Sequence, residues 1–334
     1  MRAVLIILSL AGERISITSI NDAIVSLPIY PGQIETPEWQ NTYVGRLVDQ
    51  NIRARKDTLT KAQVLDLNNA VRFALELWPA EDPRTRSNIL STWTGMASKF
   101  VYSPLRELFS SGTFSFTPSE TTHQHKIVIV DMPVLEYGRD VSRLCQILLK
   151  IAFQKAWLRH QYKPGCCNGA FLFQDEFSML MHKHEGHFHS VCRGSAIAPI
   201  CITPNISAIA AEEFGENDIG SRTSDFLGNL PVKIFHRQTD IRTCEFAANT
   251  IGKHWMPISS YGASTGQSHA HVGGQMQLVH IVDPLAFTEL LKPSGQNVFA
   301  DAIVYKGGSA FEATKTETNP QGLNYLRVRF SRDI

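Results

Sequence analysis

The stretch Gly169-Ala170-Phe171-Leu172-Phe173-Gln174-Asp175-Glu176-Phe177 restricts the fold more than any other part of the chain. Its apolar run lacks the alternation of a half-exposed strand, which predicts a strand covered on both faces within a parallel sheet. The two acids then fall at the strand's carboxyl end, where open α/β sheets place their ligand crevice. Adjacent carboxylates at that place suit a divalent cation and an attacking water, which assigns Asp175 to Mg²⁺ and Glu176 to the water. An apolar run before two acids also describes a plain solvated strand cap, so the flanking sequence has to decide between the two.

A chain of 334 residues has room for one large domain or two ordinary ones. Lys and Arg total 32 against 31 Asp and Glu, so no overall field draws the molecule to nucleic acid and any DNA contact has to be local. The six cysteines include no CxxC pair, which argues against a zinc ribbon or a disulfide framework and for a reducing compartment. Met1-Arg2 followed by apolar Ala3 to Leu8 has the outline of a signal peptide. Its apolar core is shorter than secretion needs and far too short for a membrane span, so it is expected to be the end of a helix or strand.

Residues 1–110 read as an all-α domain. Ser19 opens a capping-box-like pattern with a helix to about Val25, and a second helix begins near Pro37 with Val44, Leu47 and Val48 on one face. Val64 to Leu77 and Ser87 to Phe109 keep helical spacing, which predicts Ile89, Leu90, Trp93, Met96, Phe100 and Leu105 in a bundle core. The basic run Arg53, Arg55, Lys56 and Lys61 is a solvated helix face or a contact to phosphates.

From residue 111 to 334 the pattern changes. Strand-like segments at 126–131, 169–174, 197–203, 231–235 and 276–282 alternate with helical ones, the longest being 139–160 with Val141, Leu144, Leu148 and Ile151 as its apolar stripe. That alternation predicts βαβ units and a parallel sheet.

The order of features in this second part is specific. Lys126 to Pro133 precedes a long helix, and Phe171 to Phe177 and Arg193 follow. Next come Ile200-Cys201-Ile202-Thr203-Pro204-Asn205-Ile206-Ser207, Leu227-Gly228-Asn229, Lys233-Ile234-Phe235, Asp240 and Ile251-Gly252-Lys253. This series resembles the conjugative DNA-transfer ATPases of the TraD/TraG type, the coupling proteins of type IV secretion systems, and the helical first third resembles the all-α domain inserted into their core.

The resemblance implies an α/β fold with part of a RecA-like, P-loop NTPase-type parallel sheet, ATP and Mg²⁺ as cofactors, and a hexameric ring. It implies single-stranded DNA or relaxosome protein, together with secretion-channel components, as partners, and a place in the cytoplasm at the inner face of the bacterial membrane. Position by position, Asp175 matches the Mg²⁺-binding acid of the Walker B-type strand and Glu176 the water-activating acid. Arg193 falls near a family arginine that faces a neighbouring subunit's nucleotide.

Two departures bear on activity. The sequence contains no phosphate-binding loop: in its one Gly-Lys pair, Gly252-Lys253, His254 follows and Ala247 stands where the first glycine is required. In the family that loop lies ahead of the helical insertion, so this chain is expected to correspond to the part after it. Pro204 stands where family members commonly carry a glutamine that senses the γ-phosphate. Proline has neither a side-chain amide nor a backbone N–H, which leaves Thr203 or Asn205 to serve the nucleotide.

The chain alone is therefore not expected to hydrolyse ATP. It corresponds either to the Walker B-containing, carboxyl-terminal part of a DNA translocase or to a non-catalytic interaction module of the same fold that binds relaxosome protein or DNA.

Two other patterns compete for function. His182, His184, His187 and His189, with Cys192 close by, have the density of a transition-metal site. On a helix, however, His182 and His189 share one face while His184 and His187 share another, and the HExxH spacing is absent. Gly262-Ala263-Ser264-Thr265-Gly266 matches the pattern of a nucleophile elbow, but no histidine follows Asp283 to complete a triad. Residues 257–275, rich in Gly, Ser and His, are expected to form a surface loop.

Overall fold

The computed structural model describes residues 1–52, 55–110, 115–159, 169–211, 220–263, 270–295 and 297–331. Its contacts divide the chain into two units, Met1–Ser115 and Phe116–Ile334.

The first unit is helical, with Arg2–Leu10 (α1), Ile17–Val25 (α2), Lys61–Arg72 (α3), Pro83–Val101 (α4) and Leu105–Ser110 (α5), and with single turns at Pro37–Gln40 and Tyr43–Arg46. Val4, Ile7 and Leu8 recur at helical spacing on α1. They pack with Ile24, Trp39, Val44, Leu47, Ala70 and Trp78, so the apolar opening of the chain is a core helix.

Helix α2 starts one residue after Ser16, not at Ser19. The Ser16 hydroxyl accepts the Ser19 N–H at 3.0 Å and the Ser19 hydroxyl accepts the Ser16 N–H at 2.8 Å, a reciprocal cap in which Ser19 is the second member. On α4 and α5 the expected core is only half realised. Phe100 and Leu105 are buried, but Ile89 and Met96, two turns apart, point outward.

The second unit is built on Arg139–Arg159 (α7), preceded by Pro118–His123 (α6). Ala170–Gln174 (β1) and Ile197–Cys201 (β2) pair in parallel, from Ala170 opposite Ile197 to Gln174 opposite Cys201. Phe177–Leu180 (α8) and Glu185–Val191 (α9) connect them. Ala170 and Leu172 pack against Phe153 and Trp157 of α7 together with Phe188, Cys192 and Ile197.

The opposite face of β1 differs from the expectation of a strand covered on both sides: Phe171 and Phe173 are 69% and 67% exposed. Residues 126–131, predicted as a strand, form no ladder among the described residues. An 820 Å³ cleft lined by Ile127 to Val130 and by Gly169 to Asp175 lies between them and β1.

The buried residues of α7 are Ser142, Cys145, Lys150, Phe153, Gln154 and Trp157. The predicted stripe is displaced from this face, with Leu148 exposed, because Lys150 and Gln154 find polar partners inside.

Further along lie Ile206–Ile209 (α10), Ser221–Gly228 (α11), Val232–His236 (β3), Ile241–Ile251 (α12), Lys253–Ala263 (β4), Ala270–His280 (β5), Phe299–Lys306 (β6) and Tyr325–Ser331 (β7). Strands β3, β6 and β7 make an antiparallel sheet in that order. Cys244, Ala247, Ala248 and Ile251 of α12 share a core with Phe287, Leu290 and Ile303.

Strands β4 and β5 pair antiparallel along their whole length, Lys253 with His280 through Ala263 with Ala270. Much of the predicted loop at 257–275 is therefore a ribbon, since ladder bonds need only backbone groups and form equally well where the side chains are Gly and Ser. Ser264 of the elbow pattern lies outside the described residues. Among the described residues parallel pairing is confined to β1 and β2.

Candidate functional site

The carboxyl ends of β1 and β2 are stitched together beyond the ladder. The Ile202 N–H donates to the Gln174 carbonyl at 2.9 Å, and the Phe177 N–H donates to the Ile202 carbonyl at 2.8 Å. The chain turns sharply between these two bonds, and Asp175 and Glu176 occupy the turn, both exposed.

Glu176 has φ 47 and ψ 45, a left-handed conformation that costs a residue with a Cβ about 1 kcal/mol or more and persists only where the surroundings impose it. Here the strand pairing imposes it on one side and α8 on the other. Asp175 Oδ1 accepts the Glu176 N–H at 3.0 Å, which fixes the carboxylate at the mouth of the 820 Å³ cleft.

Cations of α7 hold the far end of α8. Arg143 Nε donates to the Met179 carbonyl at 2.9 Å and Lys150 Nζ donates to the Leu180 carbonyl, an arrangement favoured at the negative end of a helical turn. Lys150 Nζ also stands 2.8 Å from Glu185 Oε2. Around the same carboxylate, His182 Nε2 lies 3.0 Å from Oε2, His189 Nε2 lies 3.3 Å from Oε1, and Gln154 Nε2 donates to Oε1 at 3.0 Å.

Burial alone would raise the Glu185 carboxyl, but the His189 hydrogen bond and the Lys150 ammonium outweigh it and hold the group below its usual range. Burial pushes the His182 imidazole down to about 4, against the pull of Glu185. Burial also pushes the Cys201 thiol up to about 12, so it stands beside His189 as a thiol, with Sγ 4.0 Å from Nε2.

The histidine cluster is not one helix, since α9 begins at Glu185 and His182 and His184 precede it, yet it divides in the expected way: His182 and His189 turn inward to Glu185, while His184 and His187 are exposed. Among the described residues no group of three or more His, Cys, Asp or Glu is placed to hold a metal. At Glu185 the counter-cation is the Lys150 ammonium.

Of the other predicted site residues, Thr203 and Asn205 join Asp175 and Glu176 at the carboxyl ends of the strands. Thr203 Oγ1 donates to the Asn205 carbonyl at 3.1 Å, and Asn205 Oδ1 caps α10 by accepting the Ala208 N–H at 2.7 Å. Arg193 does not join them. It is exposed in the turn Cys192–Ser195 ahead of β2, at the amino ends of the strands.

Pro204 meets a glutamine from elsewhere: Gln238 Nε2, from the turn after β3, donates to the Pro204 carbonyl at 2.8 Å. Residues 34 apart in sequence meet there, and no local pattern announces it. Nor was the Lys150–Glu185 contact apparent, although the spacing of His182, Glu185 and His189 at i, i+3 and i+7 marks one polar helix face.

A magnesium ion is commonly bound by one or two protein carboxylates plus phosphate oxygens, and the exposed Asp175 carboxylate fits that role. A phosphate cradle is a different matter. Gly252 and Lys253 lie at the carboxyl end of α12, with Gly252 at φ 116 and Lys253 opening β4. Phosphates are held at the amino ends of helices, where N–H groups are unpaired, so this pair supplies none of the required geometry.

No protein-family model and no curated protein sequence matches the chain. Among solved structures, the bacterial conjugative coupling protein TrwBdeltaN70, in its unbound monoclinic form, is similar over 98% of this chain and 60% of its own, with a TM-score of 0.53 and 12% identity. The likeness shows the fold: this chain has the α/β, RecA-like architecture of a conjugative coupling protein and spans 60% of that neighbour's length.

Proposed function

We propose that the chain acts in conjugative DNA transfer as a TraD/TraG-type coupling-protein homologue, the Walker B-bearing part of an ATP-driven DNA translocase. One observation carries this: within a coupling-protein fold, Asp175 and Glu176 occupy a strained, hydrogen-bonded turn at the carboxyl ends of the parallel pair β1 and β2. Mg²⁺-ATP, when bound, would supply the phosphoryl chemistry that drives movement.

In this reading Asp175 holds the metal, Glu176 orients and deprotonates water, and the Asn205 amide nitrogen offers a donor to the phosphates, joined by Thr203 when its hydroxyl turns away from the Asn205 carbonyl. Arg193, at the other end of the strands, serves the nucleotide of a neighbouring subunit in a hexameric ring. The helical residues 1–110 are the all-α insertion and 111–334 the rear of the motor domain. The partners are single-stranded DNA or relaxosome protein and the secretion channel, at the cytoplasmic face of the membrane. No helix among the described residues is long and apolar enough to cross a membrane.

The absence of a phosphate-binding loop from the sequence favours a second reading, an interaction module that binds relaxosome protein or DNA without hydrolysis. Phosphate release from ATP separates the two when the chain is co-expressed with the polypeptide encoded immediately upstream. A motor part gains activity in that mixture and loses at least a hundredfold in Glu176→Gln. A binding module shows no activity and keeps its affinity for DNA or relaxosome protein in Asp175→Ala.

A further inference from the structure

We propose that the cleft beside Arg86, in the first unit, binds a carboxylate carried on a small apolar group. Arg86 lies near the amino end of α4 and is only 9% exposed. Its guanidinium bends back to the preceding turn, Trp78–Ala80, where Nη1 donates to the Pro79 carbonyl at 2.8 Å and also to the Glu81 carbonyl. Those two bonds use both N–H groups of Nη1. The N–H groups of Nε and Nη2 make no hydrogen bond among the described residues, and no described carboxylate pairs with the charge.

A buried guanidinium is ordinarily matched by an acid, because the protein interior solvates a lone charge poorly. Arg86 meets only two carbonyl dipoles. The donors it has left, on Nε and Nη2, lie along one edge of the planar group, the edge that matches the two oxygens of a carboxylate. Neither nitrogen is sealed from solvent, and Arg86 lines an open cleft of 410 Å³ together with Ile29, Ser87, Leu90, Ser91 and Thr94. Small-molecule sites run from about 300 to 1,000 Å³.

The lining fixes the class of ligand. Ser87 and Ser91 stand one turn apart on one face of α4, and their hydroxyls are uncommitted among the described residues, whereas the Thr94 hydroxyl donates to the Leu90 carbonyl at 2.8 Å. Two further donors therefore face an oxyanion. Ile29 and Leu90 supply apolar wall for an aliphatic body. Arg86 is the one charged side chain among the lining residues, which suits a monoanion, and the exposed acids Glu81 and Asp82 just ahead of α4 oppose the second charge of a phosphate. The site does not depend on the function proposed above, since none of its residues belongs to the Asp175–Glu176 turn.

The test titrates the full chain, carrying ¹⁵N at arginine Nε and at the backbone amides, with isobutyrate, with its neutral counterpart isobutyramide and with inorganic phosphate. The expected result is a saturable shift of one arginine Nε–H signal, absent from Arg86→Lys, and of the Ser87 and Ser91 amides. Isobutyramide produces neither, and phosphate binds at least tenfold more weakly. Because Arg86 also holds two carbonyls, a second variant at exposed positions, Ser87→Asp with Ser91→Asp, reads the site without touching that clamp and weakens isobutyrate at least tenfold. Circular dichroism verifies its fold.

A tripeptide ending in valine distinguishes the sources of the carboxylate. Binding at least tenfold tighter than isobutyrate, and lost when the carboxyl terminus is amidated, assigns the site to a polypeptide's end; weaker or equal binding assigns it to a free small acid. No saturable shift with any carboxylate, an equal response to isobutyramide, tighter binding of phosphate, or indifference to the serine changes overturns the proposal and leaves Arg86 as a clamp on the Pro79 and Glu81 carbonyls alone.

Discussion

Lys150 of α7 and Glu185 of α9 form an ion pair at 2.8 Å with side chains only 5% and 0% exposed. Lys150 also reaches the Leu180 carbonyl, so one ammonium joins three helices directly behind the turn that carries Asp175 and Glu176. Removing one member of a buried pair strands the other, at a cost of about 3–5 kcal/mol. Glu185→Leu is expected to lose stability on that scale in urea unfolding, whereas Glu185→Leu combined with Lys150→Met recovers most of it.

His182 gives the fold a pH dependence in a defined window. An imidazole in the unfolded chain takes up its proton near 6.5, but in the folded protein burial delays uptake to about 4. Between those values the unfolded state binds more protons, so stability is complete above the unfolded value and falls as pH drops through the window. The loss approaches about 3 kcal/mol at most, at roughly 1.4 kcal/mol per pH unit. Denaturant midpoints measured from pH 4 to 8 should fall in the native protein and flatten in His182→Asn.

Asp301 on β6 acts in a lower window. Its carboxylate accepts from Arg329 Nε at 2.7 Å and from Arg327 Nη2 at 3.0 Å. The Arg329 hydrogen bond first, and that of Arg327 with it, hold the carboxyl down to about 2 against desolvation. The stability it contributes is present above the ordinary carboxylate value and is lost as pH falls toward about 2. Asp301→Asn is expected to lower the Tm at pH 7 and to remove part of the acid sensitivity below pH 4.

Glu176 trades stability for position. Glycine adopts its left-handed backbone without penalty, so Glu176→Gly is expected to stabilise the protein by about 1 kcal/mol, and Glu176→Val to destabilise it further than the native residue does. Thermal unfolding checks the order Gly, Glu, Val. If the turn serves catalysis, the glycine variant is the most stable of the three and still inactive.

Gly169 is the narrow point at the entry to β1. A Cβ built there would stand 2.6 Å from the Ala196 carbonyl oxygen, inside any tolerable contact, and the obstruction is backbone. Gly169→Ala should therefore cost about 1–3 kcal/mol by forcing β1 and β2 apart, visible as a lower Tm and faster exchange of the amides of 170–174.

Features that depend on a short run of residues were legible in the sequence. The Ala170–Gln174 strand, the Ile197–Cys201 strand, the two acids after the first of them and the extent of α7 all follow from local composition and spacing. Features that depend on distant partners were not. Lys150 and Gln154 sit on the buried face of α7 because Glu185, more than 30 residues on, satisfies them there, and this moves the apolar stripe off the face that periodicity selects.

The exposure of Phe171 and Phe173 departs from the expected double coverage for a related reason, since an apolar run records that a strand suits burial and not what lies over each face. Of the β4–β5 ribbon only the strand at 276–282 is legible, because the Gly and Ser positions of the rest carry no alternation. Gln238 meets Pro204 through a contact between residues 34 apart, which no local pattern encodes.

The parallel pair β1–β2 and the antiparallel sheet β3–β6–β7 share no ladder, yet they meet just past the carboxyl end of β2. Gln238 bonds Pro204, the Thr243 hydroxyl accepts the Ile206 N–H at 3.1 Å, and the Ser207 hydroxyl donates to Asp240 at 3.0 Å. In mechanical terms these three bonds are a rivet line. With Phe246 packed against the Ile206 and Ile209 cluster beside them, they couple the Asp175–Glu176 end of the strands to the second sheet.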